Sequence, residues 1–417
     1  GAIDCIERGF ESCISTTYDH SLNDVNCTFC GQCIESCPTG ALHEKENIND
    51  VWAKLKDPDT YVVVQTAPSV RVALGEEFGM EIGTNVTGKM VSALKSLGFD
   101  KVFATNTGAD FTIMEEATEF VKRFKENDNL PMTTSCCPGW VRFAEMEYPE
   151  NLAHLSSCKS PHQMFGAIIK SYYAEKNNID PKNIYVVSVM PCIAKKYECK
   201  REEMEVNGIR DVDAVITTRE LARMIKQANI EFDKLEDGSF DNPMGEATGA
   251  AAIFGVTGGV MEAALRTAYE LITGEELKKL EFEDVRGAKG IKKATVKIGD
   301  KEIKVAVAHG LKNARIVMEE IRNKVADYSF VEVMACPGGC IMGGGQPIKN
   351  SKIRMTTDVG AKRAAAMYSI DERSTIRKSH ENPILKQIYK EYIGNPGEHK
   401  AHELLHTHYT PMEEYRI

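Results

Sequence analysis

A glycine-rich loop near the C-terminal end of the chain carries two cysteines and limits what the chain can fold into. The apolar run 331–334 is typical of a β-strand, and Cys336 and Cys340 follow it among glycines and prolines. Glycine lets the backbone approach a bulky ligand closely and adopt positive φ at little cost. Two thiolates in such a loop suit an iron–sulfur cluster. We therefore expect other parts of the chain to supply the remaining ligands.

The number and grouping of the cysteines also indicate iron–sulfur or metal binding. The chain has 417 residues and 13 cysteines, an odd number, several of them in tight local groups. Disulfide-rich secreted folds carry this many cysteines in chains of under about 100 residues. Clustered cysteines in a long chain favour metal sites in a reducing compartment. We expect a cytoplasmic protein.

Composition and charge exclude several classes of function. Apolar residues make up 42% of the chain and charged residues 27%, which is typical of a globular protein. The net charge of −10 argues against a general nucleic-acid binder. No apolar run reaches the roughly 18 residues that a membrane helix needs. Because the chain begins at Gly1 rather than Met, we expect that an upstream segment is missing.

A second cysteine group near the N-terminus follows the C-x2-C-x2-C-x3-C-P spacing of bacterial ferredoxins, which favours a 4Fe–4S cluster over a zinc knuckle or free thiols. Its members are Cys27, Cys30, Cys33 and Cys37. In two-cluster ferredoxins the fourth cysteine of such a run binds the other cluster, and no second run is present. Either that run lies upstream of Gly1, which we favour, or Cys37, Cys5 or Cys13 completes one cluster locally.

From about residue 60 onward, short apolar runs alternate with amphipathic stretches, a pattern that predicts an α/β fold. The predicted strands are 61–65, 101–105, 132–134, 184–189, 214–217, 304–308 and 330–334. The predicted helices are 114–124, 161–175, 218–227, 259–270 and others near the C-terminus. Cysteines follow three of the strands, and ligands bind outside the carboxyl ends of strands in open α/β sheets. Three strand ends therefore could converge on one cofactor.

A cubane cluster needs four thiolates, and those strand ends offer Cys137, Cys192, Cys336 and Cys340. The adjacent Cys136 and Cys137 are not expected to bind one cubane together, because neighbouring side chains diverge. One would be a ligand and the other a free thiol beside the metal. Such a thiol can carry protons when its pKa is tuned by surrounding charge.

Three motifs resemble the signature loops of the iron-only (FeFe) hydrogenases: Thr-Ser-Cys-Cys-Pro-Gly-Trp at 134–140, Met-Pro-Cys-Ile-Ala-Lys-Lys-Tyr-Glu at 190–198, and the cysteine loop at 332–347. The resemblance covers nearly the whole chain. It implies a two-lobed α/β catalytic domain, with twisted sheets flanked by helices and a small ferredoxin-like segment at the N-terminus. We expect an iron–sulfur segment at 1–45, a catalytic domain at 46–360 with the cofactor between its lobes, and a helical tail at 361–417.

The resemblance also implies a cofactor, the H-cluster. Its 4Fe–4S cubane would be held by the four cysteines, and Cys340 would bridge to a two-iron subcluster with carbonyl, cyanide and azadithiolate ligands. One or two further 4Fe–4S clusters would lie near the N-terminus. Lys195 matches the lysine that hydrogen-bonds a cyanide. The residues that match the surroundings of the subcluster are Ala67, Pro68, Ser69, Met190 and Met334.

A proton route is implied as well. In the family it runs from a free cysteine through two glutamates and a serine to a surface arginine, which here are Cys136, Glu116, Ser156, Glu119 and Arg123. The i,i+3 and i,i+4 spacings of Glu116, Glu119 and Arg123 place them as neighbours on one predicted helix. Without the resemblance, this pattern would be read as a solvated charged face.

The function implied is reversible reduction of protons to H2, with electrons exchanged with ferredoxin through an N-terminal cluster and with maturation proteins as partners. Three alternatives are a hydrogen sensor, an iron–sulfur assembly protein of the same family and a plain electron carrier. Sensors tend to lack the free cysteine at position 136. Lys195 and the 343–347 stretch favour a complete two-iron pocket over an assembly protein, and an electron carrier would not need the remaining chain.

Several other features of the sequence are not assigned a catalytic or metal-binding role. His402 and His406 match the H-E-x-x-H pattern of zinc proteases, but they lie close to the C-terminus, and a packed or surface helix is expected instead. Cys5, Cys13, Cys158 and Cys199 are expected to be buried or incidental thiols. His162 stands where the family is expected to have glutamine.

Overall fold

The strands lie in two small hairpins and two four-stranded sheets. The structure is a computed structural model that describes residues 2–245, 247–287, 289–299 and 301–412. The strands in this part of the chain are β1 (Asp4–Ile6), β2 (Cys13–Ser15), β3 (Tyr61–Thr66), β4 (Lys101–Ala104), β5 (Met132–Thr133), β6 (Ile184–Met190), β7 (Glu205–Val206), β8 (Ile209–Arg210), β9 (Ala214–Thr217), β10 (Ile291–Ile298), β11 (Lys301–His309) and β12 (Phe330–Met334).

Helices cover both large sheets. The α-helices of the described residues are α1 (Gln32–Ser36), α2 (Ile48–Leu55), α3 (Thr87–Ser96), α4 (Asn106–Glu126), α5 (Pro138–Glu147), α6 (Pro161–Ile168), α7 (Ala174–Lys176), α8 (Ala194–Glu198), α9 (Thr218–Gln227), α10 (Gly249–Ala252), α11 (Gly259–Thr273), α12 (Leu311–Arg322), α13 (Ser351–Thr356), α14 (Val359–Arg373), α15 (Pro383–Ile388) and α16 (His399–Leu405). A π-helical turn at Ile169–Tyr173 joins α6 to α7, so the helix expected at 161–175 is interrupted.

The two large sheets differ in strand direction. The first has the order β4-β3-β6-β9 and is parallel throughout, and its strands are almost wholly buried. Burial on both faces explains why they read as continuous apolar runs. The second has the order β10-β11-β12-β5, with an antiparallel pair at β10 and β11 and parallel pairs elsewhere. No helix in the described ranges is long and apolar enough to cross a membrane. The predicted α/β fold with flanking helices is confirmed.

The carboxyl ends of three strands carry the cysteines. β5 and β12 are parallel neighbours in the second sheet, with Thr133 opposite Val331, so the segments that begin after them leave the sheet side by side. Cys137 follows β5 and Cys336 follows β12, whereas Cys192 follows β6 of the first sheet. These cysteines therefore lie where the carboxyl ends of strands from the two sheets meet.

Helix α4 begins eight residues before the predicted start at 114. Its first two turns contain Gly108, where a Cβ atom would lie 2.1 Å from the carbonyl oxygen of Pro161. Glycine lowers intrinsic helix propensity, but here it allows α4 and α6 to approach closely. The packing of α4 against α6 stabilises the helix by more than the low helix propensity of glycine costs. Apolar periodicity in the sequence therefore does not indicate the early start of α4.

Buried ion pairs hold the C-terminal segment against the core. Arg266 in α11 is fully buried and donates to Asp371 in α14 at 2.9 and 2.8 Å and to Glu262 at 2.7 Å. Arg377 also donates to Asp371, at 2.7 Å. Charges this deeply buried must stay paired, because removing one partner leaves an uncompensated charge. The network therefore fixes α14 against α11.

Candidate active site

Four cysteine thiols from three strand ends face one another inside the protein. Burial raises the pKa of Cys336 well above its ordinary value, and Cys192, Cys137 and Cys340 raise that pKa further. The pKa of Cys192 is likewise raised by burial, then by Cys137 and Cys340. Thiols influence one another in this way only at short range. The four positions predicted from the strand ends do converge.

Glycines let the loops that carry these thiols pack together. At Gly339, which has φ of +95°, a Cβ atom would lie 2.7 Å from the backbone nitrogen of Thr257 and 3.0 Å from Sδ of Met334. At Gly343 a Cβ atom would lie 2.3 Å from the carbonyl oxygen of Pro191, next to Cys192. These close approaches explain the glycine content of the loop. A side chain at either position would push the cysteines apart.

The donor set fits an iron–sulfur cofactor. Burial raises the pKa of Cys340 to about 12, so without a metal this thiol is protonated, as are its neighbours. Metal ions take thiolates and release those protons. The predicted pocket residues lie at the ends of β3, β6 and β12 and are buried: Ala67, Pro68, Ser69, Met190 and Met334. Within the described residues the buried hydroxyl of Ser69 has no hydrogen-bond partner, as expected for a group that faces a ligand.

Lys195 is the cation next to the thiols. Its Nζ donates to the carbonyl oxygen of Cys136 at 2.9 Å and to Glu198 at 2.9 Å. Burial would lower the pKa of Lys195, but Glu198 and then Cys192 raise it above its ordinary value. Burial raises the pKa of Cys137 and of Cys340, and the charge of Lys195 partly offsets that rise. Lys195 is thus held charged and directed at the thiol cluster.

Glu198 and His162 belong to the same buried network, which residue motifs alone do not reveal. Nε2 of His162 hydrogen-bonds Glu198 at 2.5 Å, and Nδ1 lies 3.2 Å from the hydroxyl of Ser188. Burial lowers the pKa of His162 to about 4, so its ring is neutral. Although burial opposes ionisation of Glu198, the charge of Lys195 and the hydrogen bond from His162 lower its pKa to about 2. The i,i+3 spacing of Lys195 and Glu198 is the signal that could have indicated this pair.

The predicted proton-route residues lie in a row from the thiols to the surface. Burial, then Glu116, raises the pKa of Cys136, so that thiol and carboxyl are neighbours. Ser156 donates to Glu119 at 3.0 Å, and Arg123 donates to Glu119 at 2.6 Å. Arg123 also donates to the carbonyl oxygens of nearby residues and is partly exposed. The five groups therefore connect a buried thiol to solvent.

Glu116 occupies the centre of this row. Burial, followed by the Glu119 carboxylate, raises the pKa of Glu116 to about 8. The Ser156 hydroxyl is near enough to oppose the rise, although in the described part of the chain neither carboxyl oxygen of Glu116 has a partner at hydrogen-bonding distance and angle. A pKa close to neutral suits a group that takes up and releases protons.

This pKa has a measurable consequence for stability. Between the ordinary carboxyl value of 4.5 and about 8, the native protein keeps a proton on Glu116 that the unfolded chain has lost. The free energy of unfolding of the wild type should therefore fall with rising pH through this range, relative to that of Glu116→Gln. Anaerobic urea unfolding at pH values across the range measures this difference. Glu126→Gln, an exposed carboxylate on the same helix, is the control; identical pH profiles for the wild type and Glu116→Gln would contradict the assignment.

The N-terminal cysteines form a separate group that packs on the thiol cluster. Burial raises the pKa of Cys27 and of Cys33, and Cys30 raises both further. Cys37 also raises the pKa of Cys33, whereas Cys5 and Cys13 lie on exposed strands β1 and β2. At Gly344 a Cβ atom would lie 2.4 Å from the carbonyl oxygen of Cys30, so the N-terminal group directly contacts the loop of Cys340.

Comparison with known proteins decides the family. Residues 60–344 match the family described as "Iron only hydrogenase large subunit, C-terminal domain", 357–412 match "Iron hydrogenase small subunit" and 22–43 match "4Fe-4S binding domain". This chain belongs to the iron-only hydrogenases.

Relatives and solved structures agree with this assignment. The hydrogenase is 53% identical, over 98% of its length, to the NADP-reducing hydrogenase subunit HndD of Solidesulfovibrio fructosivorans and spans 70% of that protein. It is similar to a variant of apo [FeFe]-hydrogenase HydA1 from Chlamydomonas reinhardtii, with a TM-score of 0.78 and 42% identity over 88% of this chain and 100% of that one. Protein NAR1 of Arabidopsis thaliana is 31% identical over 94% of this chain and 86% of its own length. The family assignment carries with it the predicted cofactors, an H-cluster and 4Fe–4S binding at the N-terminus.

Proposed function

We propose that this hydrogenase reversibly reduces protons to H2 at an H-cluster held by Cys137, Cys192, Cys336 and Cys340, with Cys340 as the bridging ligand. The bound cofactor supplies the electrons and the iron on which hydrogen is formed or split. The observation that carries the proposal is the row of groups from Cys136 to Arg123. A protein that only stored or transferred clusters would not need a proton route from a thiol beside the cluster ligands to solvent.

The residues of this route hold protons at defined atoms. In the reducing direction Arg123 at the surface keeps the Glu119 carboxylate in place, and Glu119 accepts a proton from solvent. The hydroxyl of Ser156, which donates to Glu119, can turn to give its proton to Glu116 while it takes one from protonated Glu119. Sγ of Cys136 holds the proton nearest the metal site, and Glu116 reprotonates this sulfur once that proton has been given up. The pKa of Glu116, about 8, lets this carboxyl carry protons in both directions.

Lys195 and the buried side chains around it would hold the two-iron part of the cofactor. The ammonium would face anionic ligands of the cofactor, while Ala67, Pro68, Ser69, Met190 and Met334 would exclude water and shape the pocket. Electrostatic groups that are fixed before the reaction act most strongly where water is excluded. The chain's own contribution is therefore orientation, charge and proton supply.

Electrons would enter through the N-terminal group. The close contact between Cys30 and Gly344 places this group against the loop of Cys340, which supports electron transfer between them. We propose Cys27, Cys30, Cys33 and Cys37 as iron–sulfur ligands, ferredoxin as the partner and dedicated maturation proteins as the source of the two-iron unit.

The proposed division of the chain is an iron–sulfur segment at 1–45, a catalytic domain at 46–360 and a tail at 361–417. The free thiols of the structure favour a reducing, cytoplasmic setting.

A second candidate is an iron–sulfur assembly protein, favoured by the 31% identity, over 94% of this chain, to the cytosolic Fe-S cluster assembly factor narfl of Xenopus tropicalis. Such a protein would share the cubane ligands. It would not need the buried cation Lys195 beside them or a free thiol at position 136. A hydrogen sensor would use the same cofactor but not the complete proton route.

An infrared spectrum of anaerobically matured protein separates these candidates. We expect bands of bound carbon monoxide and cyanide, together with hydrogen evolution from a reduced dye. Protein produced without the maturation proteins is the control and should show cubane absorption without those bands. Matured protein that lacks the bands would exclude the hydrogenase proposal, and bands without turnover would favour a sensor.

A further inference from the structure

Three potential metal ligands meet beside the proposed proton route. Glu119, Cys158 and His406 each offer one ligand atom, and these atoms all lie within 4.8 Å of one another. Cys158 is fully buried, His406 is 8% exposed and the side chain of Glu119 is 15% exposed. The cluster therefore lies below the surface, and Glu119 is its most exposed member.

The backbone holds two of the ligands next to each other. Cys158 and His406 pair directly in an isolated antiparallel bridge. Lys159 donates its backbone N–H to Leu405 at 2.8 Å, and Thr407 donates to Ser157 at 2.7 Å. Glu119 enters from α4 on the other side. Ligands fixed by secondary structure need little rearrangement to bind an ion.

The side-chain atoms already point toward a common centre. Sγ of Cys158 donates to Oε2 of Glu119 at 3.9 Å, whereas Oε1 of Glu119 is taken by Arg123. Nδ1 of His406 lies 2.8 Å from the hydroxyl of Ser157, which can rotate away. Nε2 of His406 is held by Glu115 at 3.0 Å, which leaves Nδ1 for an ion. Oε2 of Glu119 accepts from Ser156 and from the backbone N–H of Ser157, and an ion would replace the Ser156 contact.

The charge of this region favours a cation. Burial raises the pKa of Cys158 well above its ordinary value, and Glu119, Glu116 and Glu115 raise it further. A divalent ion would offset the negative charge of the neighbouring carboxylates and of the thiolate that forms when Cys158 loses its proton. Sulfur, imidazole and carboxylate donors together select zinc-like ions over magnesium or calcium.

We propose that Glu119, Cys158 and His406 bind a zinc-class divalent cation, and that the bound ion interrupts proton transfer through Glu119. The second half rests on the proposed function. Binding would release one proton from Sγ of Cys158 to solvent, and a water molecule would complete the tetrahedral shell. The ion would occupy Oε2 of Glu119, the oxygen that accepts from Ser156.

The site differs from a zinc-protease motif, although it uses one histidine of the H-E-x-x-H pattern. The ring of His402 lies against that of His406, with centroids 4.1 Å apart, and His402 is exposed. The two histidines therefore do not form the ligand pair on their own. The partners of His406 come from distant parts of the chain, which explains why the motif did not reveal them.

The test is zinc K-edge X-ray absorption on the untagged, matured holoprotein with one equivalent of zinc. A competing chelator is added to remove zinc that is weakly bound by surface thiols. We expect one sulfur neighbour at about 2.3 Å and nitrogen or oxygen neighbours at about 2.0–2.1 Å. Cys158→Ala and His406→Gln should each weaken binding about tenfold or more. Cys199→Ala, which removes another buried thiol, should bind zinc like the wild type.

Hydrogen evolution measured in the same samples tests whether the bound ion interrupts proton transfer. Zinc should lower hydrogen evolution of the wild type and of Cys199→Ala about tenfold or more, and that of Cys158→Ala by less than about twofold. Zinc with only oxygen and nitrogen neighbours, or binding unchanged in both ligand variants, would overturn the site. Sulfur-bound zinc without inhibition would keep the site and contradict proton transfer through Glu119.

Discussion

Replacing Cys136 with serine should leave the cofactor bound and remove most hydrogen evolution. The thiol neighbours Glu116, and in the proposed route it links that carboxyl to the metal site. Burial and then Glu116 raise its pKa well above the ordinary value. A serine hydroxyl is a far weaker acid and gives up its proton much less readily. Loss of a positioned proton-transfer group costs roughly a hundredfold to ten-thousandfold in rate. Hydrogen evolution from a reduced dye measures the loss, and infrared bands of carbon monoxide and cyanide report the cofactor.

Cys199→Ser is the matched control. Cys199 is also a buried thiol, but its partner is the carbonyl oxygen of Lys196, outside the proton route. The control should retain the bands and most of the activity. If Cys136→Ser kept near-normal turnover with intact bands, the route would have to begin at another group. A loss of bands would mean instead that Cys136 helps to hold the cofactor.

Much of this arrangement could be predicted from the sequence, because local signals and global fold agree. The seven predicted strands all occur, and Phe330–Met334 and Ala214–Thr217 have the predicted bounds. Continuous apolar runs are the mark of buried parallel strands, and glycine and proline around Cys336 and Cys340 mark the loop. Convergence of the cysteines follows from the rule that ligands lie at the carboxyl ends of strands.

The remaining features depend on tertiary contacts that no local pattern contains. Helix α4 starts early because Gly108 packs against Pro161, which lies more than fifty positions along the chain. The pairing of Glu198 with His162 also joins separate segments. The Cys158 and His406 cluster requires the C-terminal tail to return to the middle of the chain. Such long-range pairs override local propensity and are visible only once the fold is known.

The second large effect concerns Lys195, whose ammonium has three N–H donors. Two of them bind the carbonyl oxygen of Cys136 and Glu198, and the charge partly offsets the rise that burial causes in the pKa of Cys340. In Lys195→Met the side chain keeps a similar length but loses the charge. We expect the protein to keep its cubanes and to hold the two-iron unit about 10–100-fold more weakly, because groups around a metal contribute this much to affinity. Carbon monoxide and cyanide bands per cubane measure the effect.

The neighbouring Lys196 provides a control with similar burial and a different environment. Its Nζ donates to Glu220 at 3.0 Å and to the carbonyl oxygen of Val215 at 2.8 Å, away from the thiols. Lys196→Met removes an equally buried cation and should destabilise the fold, yet protein that folds should carry a full set of bands. Equal loss of bands in both variants would assign the effect to folding. Loss of the bands in Lys195→Met alone would show that the two-iron unit needs the charge of Lys195, because both substitutions remove an ammonium group and they differ in where that group lies.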